Sequence, residues 1–293
     1  MGEILRAVDE SGMIRVSFLN SKDIVNTAQG IHNTSPVATA ALGRTLTMTA
    51  FLGSMLKSPD DKVTVYIKGD GPLSGIVATS DGYGMVKGYV YNPLVDLPLN
   101  KQGKLAVGAA IGKGYLSISK DLGLKEPYMG SVPLVTGEIA EDFTYYFAKS
   151  EQTPTAIALG VLVDTDLSAK EAGGFIVQLM PNADDETAKI IEQNVRNIPP
   201  VTEMLSDGMT GEEIIRKVTE GFKMKFLDSS HYEYRCDCSH EKIEKALISL
   251  GRAELTDIIE TDGKAELTCQ FCPKVYRLDK AELVELLKMA ENK

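Results

Sequence analysis

The stretch Cys236-Asp237-Cys238, then thirty residues, then Cys269-Gln270-Phe271-Cys272 holds all four cysteines of the chain. The 235 residues before it contain none. Two tight pairs separated by a helix-sized spacer are what a tetrahedral thiolate site needs. Each pair offers two sulfurs on one turn, and folding brings the turns around one ion. The spacing predicts one zinc held by Cys236, Cys238, Cys269 and Cys272. Buried apolar thiols are a poorer reading, because Arg235, Asp237, Ser239, His240, Gln270 and Lys274 surround them, which is turn chemistry. Two structural disulfides would suit a secreted protein. Residues 1–16, however, show neither a long apolar run nor a cleavage-site pattern, so no signal peptide is expected. No run of about 18 apolar residues occurs, so no spanning helix and no membrane association are expected. The chain is read as cytoplasmic, where thiols stay reduced and free to bind metal.

Immediately around the cysteines the pattern is that of a small module. Ser239 can cap a helix with Glu241 in its first turn and Ile243, Ala246, Leu247 and Leu250 inward, and Gly251 stops it. Ala253 to Thr261 reads as a second helix. Lys264–Thr268 and Lys274–Leu278 read as strands flanking the Cys269–Cys272 turn, a zinc-knuckle hairpin. Asp279 and Glu282 resemble a capping box for a last helix running to about Asn292. His231 and His240 flank the site and are read as bystanders, since four thiolates complete the set. A closed four-thiolate site leaves no position for water or substrate, so metal-assisted hydrolysis is not expected. Thiolates are also the reactive form of cysteine. Oxidation to disulfides would remove the ligands, and with them the folding energy that the metal supplies.

Further out, 293 residues leave room for a real core. The net charge of −10 repels phosphate backbones, so nucleic acid is not an expected partner. Residues 1–20 read as strand, turn, strand. Asn20–His32 and Pro36–Leu56 read as helices, the second apolar all round and therefore buried. Arg44 within it must be paired, and a structural ion pair is expected. Residues 62–91 read as a meander and 103–136 as short strands. The turn Gly69-Asp70-Gly71-Pro72 lacks a Walker pattern and leads to a strand, so it is read as a turn and not a phosphate loop. Glu138, Glu141 and Asp142 are read as a solvated helix cap in preference to an acid–base group. Thr155–Val163 and Ala172–Met180 read as neighbouring strands. From Asp184 to Gly221 come three short amphipathic helices with breakers, a linker with an apolar stripe that packs on something. The fold class expected is α+β: a β-rich core with packed helices, a helical linker and a small C-terminal zinc module.

The runs Cys236-Asp-Cys238-Ser-His-Glu-Lys242, Ala246–Gly251 and Glu266–Cys272 resemble the C-terminal redox switch of the heat-shock protein 33 family, the redox-regulated holdase chaperones. The likeness extends upstream through Leu42–Leu46, Gly69–Pro72, Gly88–Pro93, Gly137–Glu138 with Glu141–Tyr146, Ser150–Pro154, and Gly173–Phe175 with Gln178–Pro181. The resemblance implies a core at 1–181, a linker at 182–231 that folds over it in the reduced state, and a redox-switch domain at 232–293. It implies one zinc per chain in the reduced, inactive form. Oxidation would form Cys236–Cys238 and Cys269–Cys272 disulfides and expel the zinc. The linker would then lose order, and the protein would dimerise. It would hold unfolding client proteins without ATP and pass them to ATP-dependent foldases. No enzymatic activity is implied. Three rival readings stand beside it, one of them a purely structural zinc with no switch. A thiol–disulfide oxidoreductase is disfavoured because Cys272 is followed by Pro273 and a strand, where such a motif opens a helix. A structural zinc module in a nucleic-acid binder is disfavoured by the charge.

Overall fold

The computed structural model describes residues 2–291 and divides into two compact units, one ending at Arg235 and one beginning at Cys236. The first unit is α+β. β1 (Gly2–Asp9) and β2 (Ile14–Asn20) form the opening hairpin. Asp9 closes its turn by accepting from the Ile14 amide at 2.6 Å and the Ser11 amide at 3.1 Å. α1 (Lys22–His32) and α2 (Pro36–Ser54) follow. Pro36 sits in the first turn of α2, where its missing amide proton costs nothing. The helix is buried along nearly its whole length, as its uniformly apolar sequence requires.

β3 (Lys62–Gly69), β4 (Gly75–Asp81) and β5 (Met85–Val90) form the expected antiparallel meander. The region read as short strands contains a five-residue helix, α3 (Val107–Ile111), too short to show a period, before β6 (Gly114–Asp121) and β7 (Tyr128–Pro133). α4 (Ala140–Lys149) leads to β8 (Thr155–Val163) and β9 (Ala169–Leu179), which pair antiparallel as expected. The remainder of the unit is α5 (Asp185–Asn197), α6 (Val201–Ser206), α7 (Gly211–Val218), β10 (Met224–Phe226) and β11 (Ser230–Tyr234).

The strand order is β7-β6-β3-β4-β5-β11-β1-β2-β9-β8, with β10 also pairing to β1. β11 joins the two halves. It runs antiparallel to β1 through Gly2↔Tyr232 and Ile4↔Ser230, and parallel to β5 through Tyr234↔Val86. The residues 230–234 carry only Tyr232 and Tyr234 as a period-2 signal, which is why the strand escapes sequence reading.

Alternation along the strands sorts two cores. Ile157, Leu159 and Val161 of β8 and Ile176 of β9 join the α2 core, while Ala156, Ala158, Phe175 and Val177 turn the other way with Ile14, Val16 and Phe18. The second face is covered by the 182–231 segment through Ile191, Val201, Met204, Ile214, Ile215 and Val218, all buried. The close approach of α7 depends on Gly211, where a Cβ would lie 2.6 Å from both Leu5 Cδ1 and Phe18 Cδ1.

Three polar readings resolve here. Arg44 pairs with Glu138 at 2.7 Å, the expected ion pair. The acidic trio is not a solvated cap. Only Glu141 is exposed; Asp142 is 1% exposed and accepts from the amides of Val135 (2.7 Å), Thr136 (3.1 Å) and Ile139 (3.0 Å). Orphan amides at the entry to α4 pull the carboxylate inward, since unpaired buried donors are costly. At the glycine turn, the Asp70 and Gly71 amides already donate to Lys113 O and Ile111 O at 2.9 Å, so no phosphate cradle exists.

The second unit comprises α8 (His240–Ser249), α9 (Arg252–Thr261), the hairpin β12 (Lys264–Thr268) and β13 (Val275–Asp279), and α10 (Lys280–Glu291). Ser239 caps α8 by accepting from Lys242 N at 3.3 Å. The Asp279–Glu282 capping box is formed, with bonds of 2.8 and 3.0 Å. The predicted end of the last helix at about Asn292 lies outside the described residues. Leu247, Leu255, Ile259, Leu278, Leu283 and Leu286 make the core. Ala246 and Leu250, expected inward, are exposed, because α9 and α10 pack on the face that carries Leu247. Among the described residues no helix is long and apolar enough to cross a membrane.

Candidate metal centre

The hairpin builds half the site. Thr268 pairs with Val275, and the chain between them folds back through Cys269 N donating to Lys274 O at 3.0 Å and Cys272 N to Cys269 O at 3.3 Å. That turn presents the sulfurs of Cys269 and Cys272 together. The other half lies on the segment entering α8. There Lys242 Nζ pairs with the Asp237 carboxylate and donates to Asp237 O at 3.0 Å, fixing the residue between Cys236 and Cys238.

All four sulfurs lie within 4.8 Å of one another. Cys236 Sγ and Cys269 Sγ are 3.6 Å apart, and Cys238 Sγ and Cys272 Sγ 3.5 Å. A tetrahedral zinc with Zn–S bonds of about 2.3 Å sets its sulfurs about 3.8 Å apart. The arrangement therefore fits a metal ion of that size, and the all-thiolate donor set suits a soft or borderline one. The four are free thiols and half-buried, shielded enough to hold an ion and open enough for a small oxidant to reach.

Their electrostatics are uneven. Burial pushes the Cys238 thiol up, but hydrogen bonds from Tyr276 and from the neighbouring thiols outweigh it and bring it down to about 7. Burial, reinforced by contacts with the other thiols, raises Cys236. Burial likewise raises Cys272. Cys238 thus leans toward the thiolate, and a bound cation would favour that form at its ligands.

Sequence reading missed Tyr276. It lies on β13, four residues past Cys272, and its hydroxyl donates to Cys238 Sγ at 3.0 Å. The only signal is its parity with Leu278, which marks both as inward-facing. His240, expected as a bystander, is engaged by carboxylates: Nδ1 lies 3.0 Å from Glu244 and Nε2 3.9 Å from Glu282. His231 lies on β11 of the first unit. Cys272 leads through Pro273 into β13, so no helix N-terminus acts on the Cys269–Cys272 pair.

Comparison with known proteins places this geometry in context. The family model described as Hsp33 protein matches residues 2–279. The 33 kDa chaperonin of Desulforamulus reducens is 48% identical over 290 residues, covering 99% of this chain and 98% of that protein. That of Clostridioides difficile is 51% identical over 286 residues, covering 97% and 98%. The crystal structure of the 33 kDa chaperonin from Thermotoga maritima (heat shock protein 33 homolog) superposes with a TM-score of 0.89 at 39% identity, covering 99% of each chain.

Proposed function

The chain belongs to the Hsp33 family, and on that premise we propose that it is a redox-regulated, ATP-independent chaperone of the holdase type, working in the cytoplasm. The observation that carries the reading is the cluster of four reduced thiols within 4.8 Å in a module whose aliphatic core, among the described residues, is six buried side chains. Such a core is too small to be robust alone, so the module depends on a crosslink.

Cys236, Cys238, Cys269 and Cys272 would hold one zinc, which supplies a tetrahedral crosslink when bound. The chain's own residues supply the rest. Lys242 holds Asp237 and so keeps Cys236 and Cys238 together, and Tyr276 supports charge on Cys238. Oxidation takes two electrons from each thiol pair. With peroxide as acceptor, each pair becomes one disulfide, Cys236–Cys238 or Cys269–Cys272, and each peroxide becomes two waters. A sulfur in a disulfide no longer binds the ion, so the crosslink is lost. The 182–231 segment then releases the sheet face of Ile14, Val16, Phe18, Phe175 and Val177. Exposed apolar surface of that kind binds unfolding proteins and a second copy of the chain. In this scheme 1–181 is the body, 182–231 the released linker and 232–293 the switch. Clients pass afterwards to ATP-dependent foldases.

The test follows zinc, thiols and client aggregation in one sample. The reduced chain should carry one zinc and leave a heat-denatured client to aggregate. Peroxide with warming should release zinc, consume the thiols and bring on suppression that reductant reverses. Zinc that leaves with no suppression appearing overturns the reading and leaves a structural site.

A further inference from the structure

Sulfur outside the metal centre is concentrated in one place. The second core, where the 182–231 segment lies on the sheet, takes in Met13, Met204, Met209 and Met224. The larger α2 core has only Met48 and Met55 among the described residues, and the core of the second unit has no methionine among them. Met204 is 1% exposed, while Met13, Met209 and Met224 are half-buried at the rim. These three mark separate points along the segment. Met13, in the turn between β1 and β2, accepts on its sulfur a hydrogen bond from Thr187 Oγ1 at 3.5 Å. Thr187 lies in the first turn of α5, and its amide donates to the capping carboxylate of Asp184 at 2.8 Å. Met209 follows α6, where its amide donates to Met204 O at 3.0 Å. Met224 lies on β10, paired with Asp9 at the end of β1.

A thioether gives up two electrons to a hypohalous acid or a peroxide. In net terms the sulfur gains one oxygen, and hypochlorous acid leaves as chloride and a proton, or peroxide as one water. No thiol takes part. The product, methionine sulfoxide, is polar and chiral where a flexible apolar side chain stood. At the rim of the second core that change has a structural cost. The sulfur–hydroxyl separation of 3.5 Å leaves no room for an oxygen on Met13 Sδ toward Thr187, so the contact must open. At Met209 and Met224 a strong acceptor is added to side chains packed on apolar neighbours, which supply no donor. Met129 and Met289 are 63% and 57% exposed and belong to none of the three cores, so a sulfoxide there stays in water and changes little.

We infer that Met13, Met209 and Met224 are a second oxidation site, whose conversion to sulfoxides by a hypohalous acid or a peroxide loosens the 182–231 segment independently of the four cysteines. Methionine fills irregular gaps in any core. Here three of them stand where the segment's first helix begins, where its second helix ends and where its exit strand pairs, and one sulfur itself holds a helix start. Loosening at the rim would then bare Met204 to the same oxidant. The site differs from the thiols in what reverses it. Thiol reductants return a disulfide to two thiols but leave a sulfoxide in place, which only methionine sulfoxide reductases remove, one enzyme for each epimer. A chain oxidised at both sites therefore stays open after its thiols have recovered. Calling that open form a chaperone rests on the proposed function; the loosening does not.

The test treats the full-length, zinc-loaded chain with hypochlorous acid, then with a thiol reductant and zinc, and compares molecules whose four thiols have returned. Peptide mass spectrometry maps the sulfoxides, and hydrogen exchange over residues 201–218 reports how firmly the segment is docked. Sulfoxides should be found at Met13, Met209 and Met224. Protection over 201–218 should remain about tenfold or more below that of the untreated chain, and adding both methionine sulfoxide reductases should restore it. The M13L/M209L/M224L variant keeps side chains of similar volume without sulfur, and its protection should recover with the thiols alone. Full recovery of the wild-type chain while the three sulfoxides persist, oxidation confined to Met129 and Met289, or failure of both reductases to restore protection would each overturn the inference. Client aggregation is followed in the same samples. Suppression that vanishes as the thiols recover, with protection regained, removes this inference alone. A segment that stays open without suppressing aggregation removes the holdase reading alone.

Discussion

The hydroxyl of Tyr276 donates a 3.0 Å hydrogen bond to the sulfur of Cys238, across 38 residues of sequence. The donor is a side chain from outside both cysteine pairs, carried on β13. Donors of this kind orient a ligand and support its charge, and their loss typically costs about 10–100-fold in metal affinity. Tyr276→Phe removes only the donor and keeps the buried ring. Zinc affinity measured by chelator competition should fall by about that factor. The thermal midpoint of the first unit should barely move, while that of the metal-loaded second unit falls with the lost affinity. An unchanged zinc affinity would reduce Tyr276 to packing.

The switch proposal makes the covered sheet face the quantity to perturb. Ile214 of α7 is fully buried against that face. Ile214→Ala should weaken the docking of the 182–231 segment by about 2–4 kcal/mol, the usual cost of such a truncation. The reduced, metal-loaded variant should bind an apolar fluorescent dye and suppress client aggregation in part, before any oxidant is added. If it melts earlier yet stays inactive until oxidised, the covered face is not what restrains activity.

The sequence was most legible where chemistry and periodicity coincide. The four thiols announced their cluster by spacing alone, and α2, β8 and β9 by long apolar patterns. Legibility failed where the deciding contacts are remote. Nothing near residues 230–234 shows that they fit between β1 and β5, because that pairing partner is the N-terminal strand. Asp142 looked like any carboxylate in a first helical turn; its burial follows from the amides of Val135, Thr136 and Ile139, which only the fold brings round it. Tyr276 could not be tied to Cys238 before the hairpin was seen to set them face to face.

Glu138 does two jobs, and separating them is a test of the core. Its Oε2 accepts from Arg44 Nη1 at 2.7 Å, and its Oε1 accepts from the Gly108 amide at 3.1 Å. Glu138→Gln keeps acceptor capacity but removes the charge, while Glu138→Ala removes both and leaves Arg44, whose side chain is only 16% exposed, without its partner. Denaturant unfolding should place Glu138→Ala about 1–3 kcal/mol below the parent. Glu138→Gln should fall between the two. Adding Arg44→Met to Glu138→Ala should recover part of the loss, because the stranded charge is what costs most. Additive losses in the double variant would deny the coupling.

His32, at the end of α1, ties the body to β11. Its Nε2 lies 2.9 Å from the Tyr234 hydroxyl, which itself donates to Gly88 O at 2.9 Å. Burial lowers its pKa below 6.5, against a smaller upward pull from the Gly88 carbonyl. The folded state therefore favours the neutral ring, and the unfolded chain binds a proton first as pH falls. Stability from this group is fully present above about pH 6.5 and is lost as pH drops from there through the lower, folded-state value. The melting temperature of the first unit should accordingly fall on acidification from about pH 7 to about pH 5, and His32→Gln should flatten that slope while sparing the higher-pH stability. Hydrogen exchange at the Glu233 and Arg235 amides, which donate to Gly84 O and Val86 O, would localise the effect to β11. If those amides keep their protection at pH 5 while the melting temperature drops, the acid sensitivity arises elsewhere in the unit and His32 does not secure this strand.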